Sequence, residues 1–205
     1  PYYRIYRDQN GAPGSQILEQ GTGPGTPAIQ TFHLTPGKYW LNGRLGQANV
    51  NQALSLNAGE EKNIELILGT GQLKLSAIAV DGGPILDQKL FYWVFAIKPD
   101  GSRGAEITRW GVGPGSTHTP TFILNGGEVR AVVRWGQAFT ELDTQVVVNE
   151  ERQAQLVLNA ALITAQAQDQ TDSIITEQLF YWVFEESSDG NPGQEVARWG
   201  VGPGS

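Results

Sequence analysis

"LFYWVFAIKPDG" at residues 90–101 and "LFYWVFEESSDG" at residues 179–190 share one aromatic pentapeptide, and both run on to Asp-Gly. A short run rich in aromatic and β-branched residues that ends at a Gly-containing turn is typical of a β-strand entering a hairpin. The stretch therefore predicts a β-strand, and its recurrence predicts a repeated β-module.

The whole chain repeats with a period of about 90 residues. A shift of 90 aligns positions 2–70 with 92–160 without a gap, and a shift of 89 aligns the second aromatic pentapeptide with the first. We therefore predict repeat one at 1–70 without its opening strand, a complete repeat two at 71–160, and a partial repeat three at 161–205. We expect the chain to belong to a longer tandem array. The alternative is a two-domain protein with a degenerate tail.

Within the complete repeat, hydrophobic residues recur with a period of two, and no helical stripe is sustained. Seven short strands separated by turns indicate an all-β fold made of seven-stranded antiparallel, immunoglobulin-like β-sandwich modules. The predicted strands are GQLKLSAIAV, the aromatic strand, AEITRWGVGPG, TPTFILN, GEVRAVVRWGQA, TQVVVN and RQAQLVLNA.

The gapless alignment also assigns the faces of the aromatic strand. It places Arg4 on Val94, and a charge accepted at one position indicates solvent there. Because alternate residues of a strand share a face, the other set should face the core. The predicted core aromatics are Phe91, Trp93, Phe95, Phe180, Trp182 and Phe184. The predicted exposed aromatics, available to a ligand or an interface, are Trp40, Tyr92 and Tyr181. The alternative is a wholly exposed aromatic platform.

Composition excludes several functional classes. With 14 basic and 21 acidic residues, the net charge is −7, which makes the chain a poor partner for nucleic acid or for anionic lipid. Cysteine is absent, so neither a disulfide nor a thiolate site can form. No apolar stretch approaches the ~18 residues of a membrane helix, and we expect no membrane insertion.

No motif indicates catalysis. His33 and His118 occupy different repeat positions and lack the companion ligands that a metal needs. Neither a Gly-x-Ser-x-Gly elbow nor a paired base is evident, so we expect no enzyme activity, no catalytic residue, no metal and no cofactor. Arg-Trp pairs at residues 109–110, 134–135 and 198–199 have two interpretations. They either stack on a sugar or place a core Trp beside an exposed Arg.

Two aligned stretches carry a resemblance: "FHLTPGKYWLNGRLGQANVNQALSLNAGEEKNIELIL" from Phe32 and "FILNGGEVRAVVRWGQAFTELDTQVVVNEERQAQLVL" from Phe122. They resemble the tandem immunoglobulin-like or transthyretin-like β-sandwich repeats of bacterial periplasmic and surface proteins. The resemblance implies export to the periplasm, cell surface or extracellular space, and a role as a stalk or as the building block of a filament. The alternative function is a carbohydrate-binding surface module.

The joints between repeats are short. Only two or three residues separate the closing strand of one repeat from the opening strand of the next, so neighbouring repeats should touch in a nearly fixed orientation. Exposed edges also leave room for a strand from another chain. The expected partners are neighbouring repeats, copies of the same chain joined head to tail by strand addition, and, under the alternative, glycans.

Overall fold

The computed structural model describes residues 1–23, 25–27, 29–175 and 178–201. The all-β prediction is confirmed, since these residues form strands and turns and include no helix. Nothing in this part of the chain could therefore cross a membrane as an apolar helix. The strands are β1 Tyr2–Gln9, β2 Ala12–Gly21, β3 Gly37–Leu45, β4 Ala48–Leu56, β5 Thr70–Ile78, β6 Phe91–Ile97, β7 Arg103–Gly111, β8 Thr121–Asn125, β9 Gly127–Trp135, β10 Ala138–Val146, β11 Glu151–Val157, β12 Leu179–Glu186 and β13 Pro192–Val201.

Repeat two contains the seven predicted strands, β5 to β11, arranged as a β-sandwich. One sheet has the order β10-β9-β6-β7 and the other β11-β5-β8. Buried side chains from both sheets, including Leu75 of β5 and Val94 of β6, form one hydrophobic core. The sixth strand begins earlier than predicted: β10 starts at Ala138 because the chain reverses tightly at Gly136, which has a φ of 59°.

The strand pairing differs from the predicted arrangement at one place. β11 runs parallel to β5, with Ala154 opposite Leu75, whereas all pairs were predicted to be antiparallel. A parallel pair needs a long crossover, and here the five intervening strands supply it. On its other side β5 pairs with β8, and β6 lies in the other sheet. An immunoglobulin constant domain places its first and second strands in the same sheet, so the strand order is a different one.

Repeat one forms only the first of these two sheets as regular strands. Its order, β2-β1-β3-β4, matches β7-β6-β9-β10. Residues 31–35 and 61–67 align with β8 and β11, but neither segment is a strand. Among the described residues the buried core of this repeat comprises Ile5, Tyr39 and Leu41, and partly buried side chains from both segments pack against it.

The first strand of repeat one is offset by one residue from the gapless alignment. β1 pairs Ile5 with Leu41, and β6 pairs Val94 with Ala131. Leu41 and Ala131 are 90 residues apart, so Ile5 is the equivalent of Val94, at a shift of 89. The alignment instead placed Arg4 on Val94.

The missing residue lies in the turn after the strand. In repeat one Asp8 pairs with Pro13, whereas in repeat two Ile97 pairs with Arg103, which is one residue farther along. A slip of one residue moves every side chain of a strand to the opposite face. The predicted faces of the aromatic strand are therefore reversed.

This reversal corrects the predicted core aromatics. Tyr92 is fully buried, while Phe91 is 42% exposed and Trp93 and Phe95 are half-buried on the outer face. The same pattern holds in β12, where Trp182 is 52% exposed. The prediction of core aromatics is therefore wrong for six residues, which point outward: Phe91, Trp93, Phe95, Phe180, Trp182 and Phe184. The prediction that Tyr92 is exposed is also wrong.

The aromatic hairpin is built alike in all three repeats. β1–β2, β6–β7 and β12–β13 each carry two register shifts, at matching places on the first strand. Bulges of this kind sharpen the local twist and re-aim side chains. Part of repeat three, residues 176–177 and 202–205, lies outside the described residues. The repeat boundaries stay a prediction.

Candidate binding surface

The outer side of the four-stranded sheet of repeat two presents a row of aromatic side chains, which we call the aromatic face. Alternation along β6 directs Phe91, Trp93 and Phe95 outward. Phe91 and Trp93 stack, with ring centroids 6.0 Å apart and planes at 28°. Because β6 is an inner strand of the sheet, held by β7 and β9, the row is rigidly supported.

Arginines and carboxylates border this row. Arg109 of β7 lies opposite Trp93 and Arg134 of β9 lies opposite Phe91. The side chain of Arg109 is 75% exposed, and its nearest carboxylate, on Glu106, is 3.7 Å away. The Nε of Arg134 donates to the carbonyl of Gly136 at 2.7 Å. Guanidinium donors therefore stand on both sides of the stacked rings.

Charged side chains also border the Phe95 end of the aromatic face. The Cζ of Arg103 lies 4.8 Å from the centroid of the Phe95 ring, and its Nη2 pairs with Glu141. The Nε and Nη2 of Arg130 donate to the two oxygens of Asp143 at 2.6 and 2.8 Å. This bidentate pair lowers the pKa of Asp143. The acids at this end are thus engaged by arginines, and the Arg109 end is the more open one.

Equivalent surfaces occur on the other two hairpins. In repeat three, Phe180 and Trp182 have centroids 6.0 Å apart, and Arg198 lies 3.6 Å from Glu195. In repeat one the position of Trp93 is taken by Arg4, whose Nη2 donates to Glu19 at 3.1 Å. A neighbouring aromatic pair on this face, stacked in repeat two and tilted in repeat three, is therefore a property of repeats two and three.

The comparisons with known proteins place the chain in no family. No protein-family model matches the sequence, and the search of curated proteins found no match. Among solved structures, the Bacillus anthracis TIE protein matches over 76% of this chain and 29% of its own, at 15% sequence identity and a TM-score of 0.33. The chain thus spans less than a third of that protein's length.

The three aromatics predicted to be exposed have different surroundings and lie on three separate sheets. Trp40 is half-buried, and its Nε1 donates to Oδ1 of Asp8 at 2.8 Å. Tyr181 is half-buried and stacks on Trp199 at 5.4 Å. Tyr92 lies in the core, so no ligand can reach it without opening the sandwich.

Tyr92 is a structural residue. Its hydroxyl donates to the carbonyl of His118 at 3.1 Å, which ties the strand to the loop after β7. Burial raises the pKa of the Tyr92 hydroxyl to about 12, because an ionised phenol would be poorly solvated there.

A second group of residues, at the joint between repeats one and two, was missed by sequence reasoning. Asn125 at the end of β8 accepts from the backbone NH of Asn49 at 3.0 Å and donates back to its carbonyl at 3.1 Å. The same amide nitrogen also donates to the carbonyl of Leu68 at 3.1 Å. Asn125 aligns with Thr35 in repeat one, so comparing the repeats does not indicate that Asn125 has a role at the joint.

In the part of the chain that the structure describes, no three His, Cys, Asp or Glu side chains group as a metal site would need. His33 is exposed, whereas His118 lies in the loop after β7, where its carbonyl accepts a hydrogen bond from Tyr92. The two histidines therefore have different surroundings. The aromatic face and the Asn125 joint are consequently the two features that offer a function.

Proposed function

We propose that the chain is a structural segment of an exported bacterial tandem-repeat protein, acting as a stalk or as a building block of an extracellular or periplasmic filament. The observation that supports it is the joint at Asn125. Export and bacterial origin rest on the sequence resemblance. The mechanical part of the proposal follows from how repeats one and two meet.

The joint is made by backbone groups as well as side chains. The backbone NH of Gln47, in the turn between β3 and β4, donates to the carbonyl of Ile123 at 3.0 Å. At the end of the connection, the NH of Gly126 donates to the carbonyl of Gly69 at 2.9 Å. The turn of one repeat is thereby bonded to β8 of the next.

Close packing at the turn adds a steric constraint. A Cβ on Gly46 would lie 2.8 Å from the Cβ of Ile123, and the φ of Gly46 is 60°. Glycine is suited to this position on both counts. A joint with directional hydrogen bonds and close packing restrains the angle between repeats, which is what a stalk requires.

Pulsed electron spin resonance tests the joint directly. Because the chain has no cysteine, spin labels can be placed at Ser55→Cys and Ala105→Cys, both exposed, in repeats one and two. We expect a narrow distance distribution that broadens with Asn125→Ala, since three hydrogen bonds across the joint are lost. Asn63→Ala, an exposed position of repeat one away from this contact, should leave it narrow. A broad distribution in the unsubstituted chain would contradict the proposal.

A second candidate function, glycan binding, is favoured by the aromatic face. Stacked rings flanked by the exposed side chain of Arg109 offer an apolar platform and hydrogen-bond donors to a sugar. On a glycan array we expect any binding to disappear with Trp93→Ala and to persist with Tyr92→Phe, because Tyr92 faces the core. Glycan binding that survives Trp93→Ala would exclude the aromatic face as the binding site.

A further inference from the structure

Three Asn-Gly pairs occur in the chain, at residues 10–11, 42–43 and 125–126. In such a pair the backbone nitrogen of the glycine can attack the side-chain amide of the asparagine, because glycine has no Cβ to hinder the approach. The reaction requires the nitrogen and the side-chain carbonyl carbon to reach an attack geometry. The structure places the three pairs in three different settings, and the third pair is the one at the joint.

The first two pairs show the two ordinary settings. Asn10 and Gly11 form the exposed turn between β1 and β2, with φ of 56° and 82°. Asn42 is buried within β3, and its Nδ2 donates to Oδ1 of Asn51 at 2.8 Å. One pair is therefore open to solvent, and the other is enclosed by a sheet.

The pair at the joint is exposed to solvent but restrained by hydrogen bonds. The side-chain amide of Asn125 makes three bonds, to the backbone of Asn49 and Leu68. The attacking atom is engaged as well, since the NH of Gly126 donates to the carbonyl of Gly69 at 2.9 Å. Both reacting groups are thus held by residues of repeat one, and not by burial.

The geometry of the joint explains why this reactive pair is present. The side chain at position 125 both accepts and donates, which is a property of the Asn amide. At position 126, a Cβ would lie 2.6 Å from Cγ2 of Val148 and 3.7 Å from the carbonyl oxygen of Gly69, so a side chain would collide. The residues that fit the joint are therefore also the residues that react once it opens.

We propose that Asn125 is a deamidation site, which the docked joint protects and which opening of the joint exposes. When the bonds to repeat one are lost, the nitrogen of Gly126 forms a bond to Cγ of Asn125. The Cγ–Nδ2 bond breaks, and ammonia leaves with the proton of the Gly126 nitrogen. Water then opens the five-membered imide at either carbonyl, which gives aspartate or isoaspartate.

The product no longer fits the joint. A carboxylate only accepts hydrogen bonds, so it cannot donate to the carbonyls of Asn49 and Leu68, and its charge faces these two oxygens instead. In isoaspartate the backbone also gains a methylene before Gly126, which displaces the NH that bonds to Gly69. The inference rests on the proposed structural role, because it describes how a rigid joint becomes permanently loose.

Peptide mapping by mass spectrometry measures the reaction at each of the three pairs in the full chain. During incubation at mildly alkaline pH, we expect Asn125 to react about tenfold or more slowly in the folded chain than in urea, because opening of the joint must precede attack. Asn10 gives the rate of an exposed pair in the same sample. Equal rates at Asn125 in the folded and the unfolded chain would overturn the inference.

A substitution on the other side of the joint tests whether docking provides the protection. A Cβ on Gly46 would collide with Ile123, whereas a Cβ on Gly136, the equivalent glycine of repeat two, would have no atom of the described residues within 4 Å. Their φ of 60° and 59° give Gly46→Ala and Gly136→Ala the same backbone strain. We expect Gly46→Ala to accelerate the reaction at Asn125 severalfold and Gly136→Ala to leave it unchanged. Equal rates in the two variants would overturn the link to the joint.

Asn125→Asp is one of the two products, and the spin labels at residues 55 and 105 report its effect. We expect a broader distance distribution than in the unsubstituted chain, and an equally narrow one would overturn the release of the joint. A broad distribution in the unsubstituted chain contradicts the structural role itself. A narrow distribution together with fast reaction at Asn125 in the folded chain leaves that role standing and overturns this inference alone.

Discussion

Tyr92 combines a fully buried ring with a hydroxyl that has one protein partner, the carbonyl of His118. In the unfolded chain this hydroxyl ionises at its ordinary pKa of 10.0, whereas in the folded chain burial raises the pKa to about 12. Above pH ~10 the unfolded state loses its proton first, so the free energy of unfolding falls. The contribution of Tyr92 to the free energy of unfolding is fully present below that pH and is lost as the pH rises through about 12. Urea unfolding at increasing pH should show a loss of about 2 to 3 kcal/mol from this group.

Tyr92→Phe provides the control at the same scale. It should cost about 1 kcal/mol near neutral pH, from the lost hydrogen bond, and it should remove the part of the alkaline decline that Tyr92 causes. A decline of equal depth in both proteins would show that the Tyr92 hydroxyl does not respond to burial as described.

At the scale of elements, alternation predicted where strands occur but not always which face they bury. β9 lies where it was predicted, and β3 aligns with it at a shift of 90, because matching Gly-x-Ala turns follow both strands. β1 and β6 were misaligned by one residue, because the turn after β1 is one residue shorter than the turn after β6. The parallel pairing of β5 and β11 could not be predicted, since the spacing of apolar residues carries no information about which strand becomes a neighbour.

The candidate sites, too, could be predicted from the sequence only in part. The aromatic residues of β6 and β12 were identified from sequence as notable, but their orientation depended on a turn length that the alignment concealed. Asn125 could not be found, because its partners are backbone atoms of Asn49 and Leu68, and backbone groups leave no trace in residue identity. Sequence pattern thus predicts the modules better than the contacts between them.

At the scale of the whole molecule, the repeats should differ in stability. The core of repeat two contains sixteen buried residues among those described, and that of repeat one contains three. Less buried apolar area gives less protection against local opening. Hydrogen exchange followed by mass spectrometry should therefore show faster exchange in β1–β4 than in β5–β11. Slower exchange in β1–β4 would contradict this ranking.

The parallel pairing of β5 and β11 has a mechanical consequence. The chain enters repeat two at the start of β5 and leaves it at the end of β11, and these points lie at opposite ends of the same ladder of seven residue pairs. Tension along the chain pulls the two strands lengthwise in opposite directions, so the ladder is loaded in shear. Its hydrogen bonds must then fail together, whereas peeling would break them one after another. Repeat two is consequently built to bear a pulling force along the chain, with its first and last strands as the clamp.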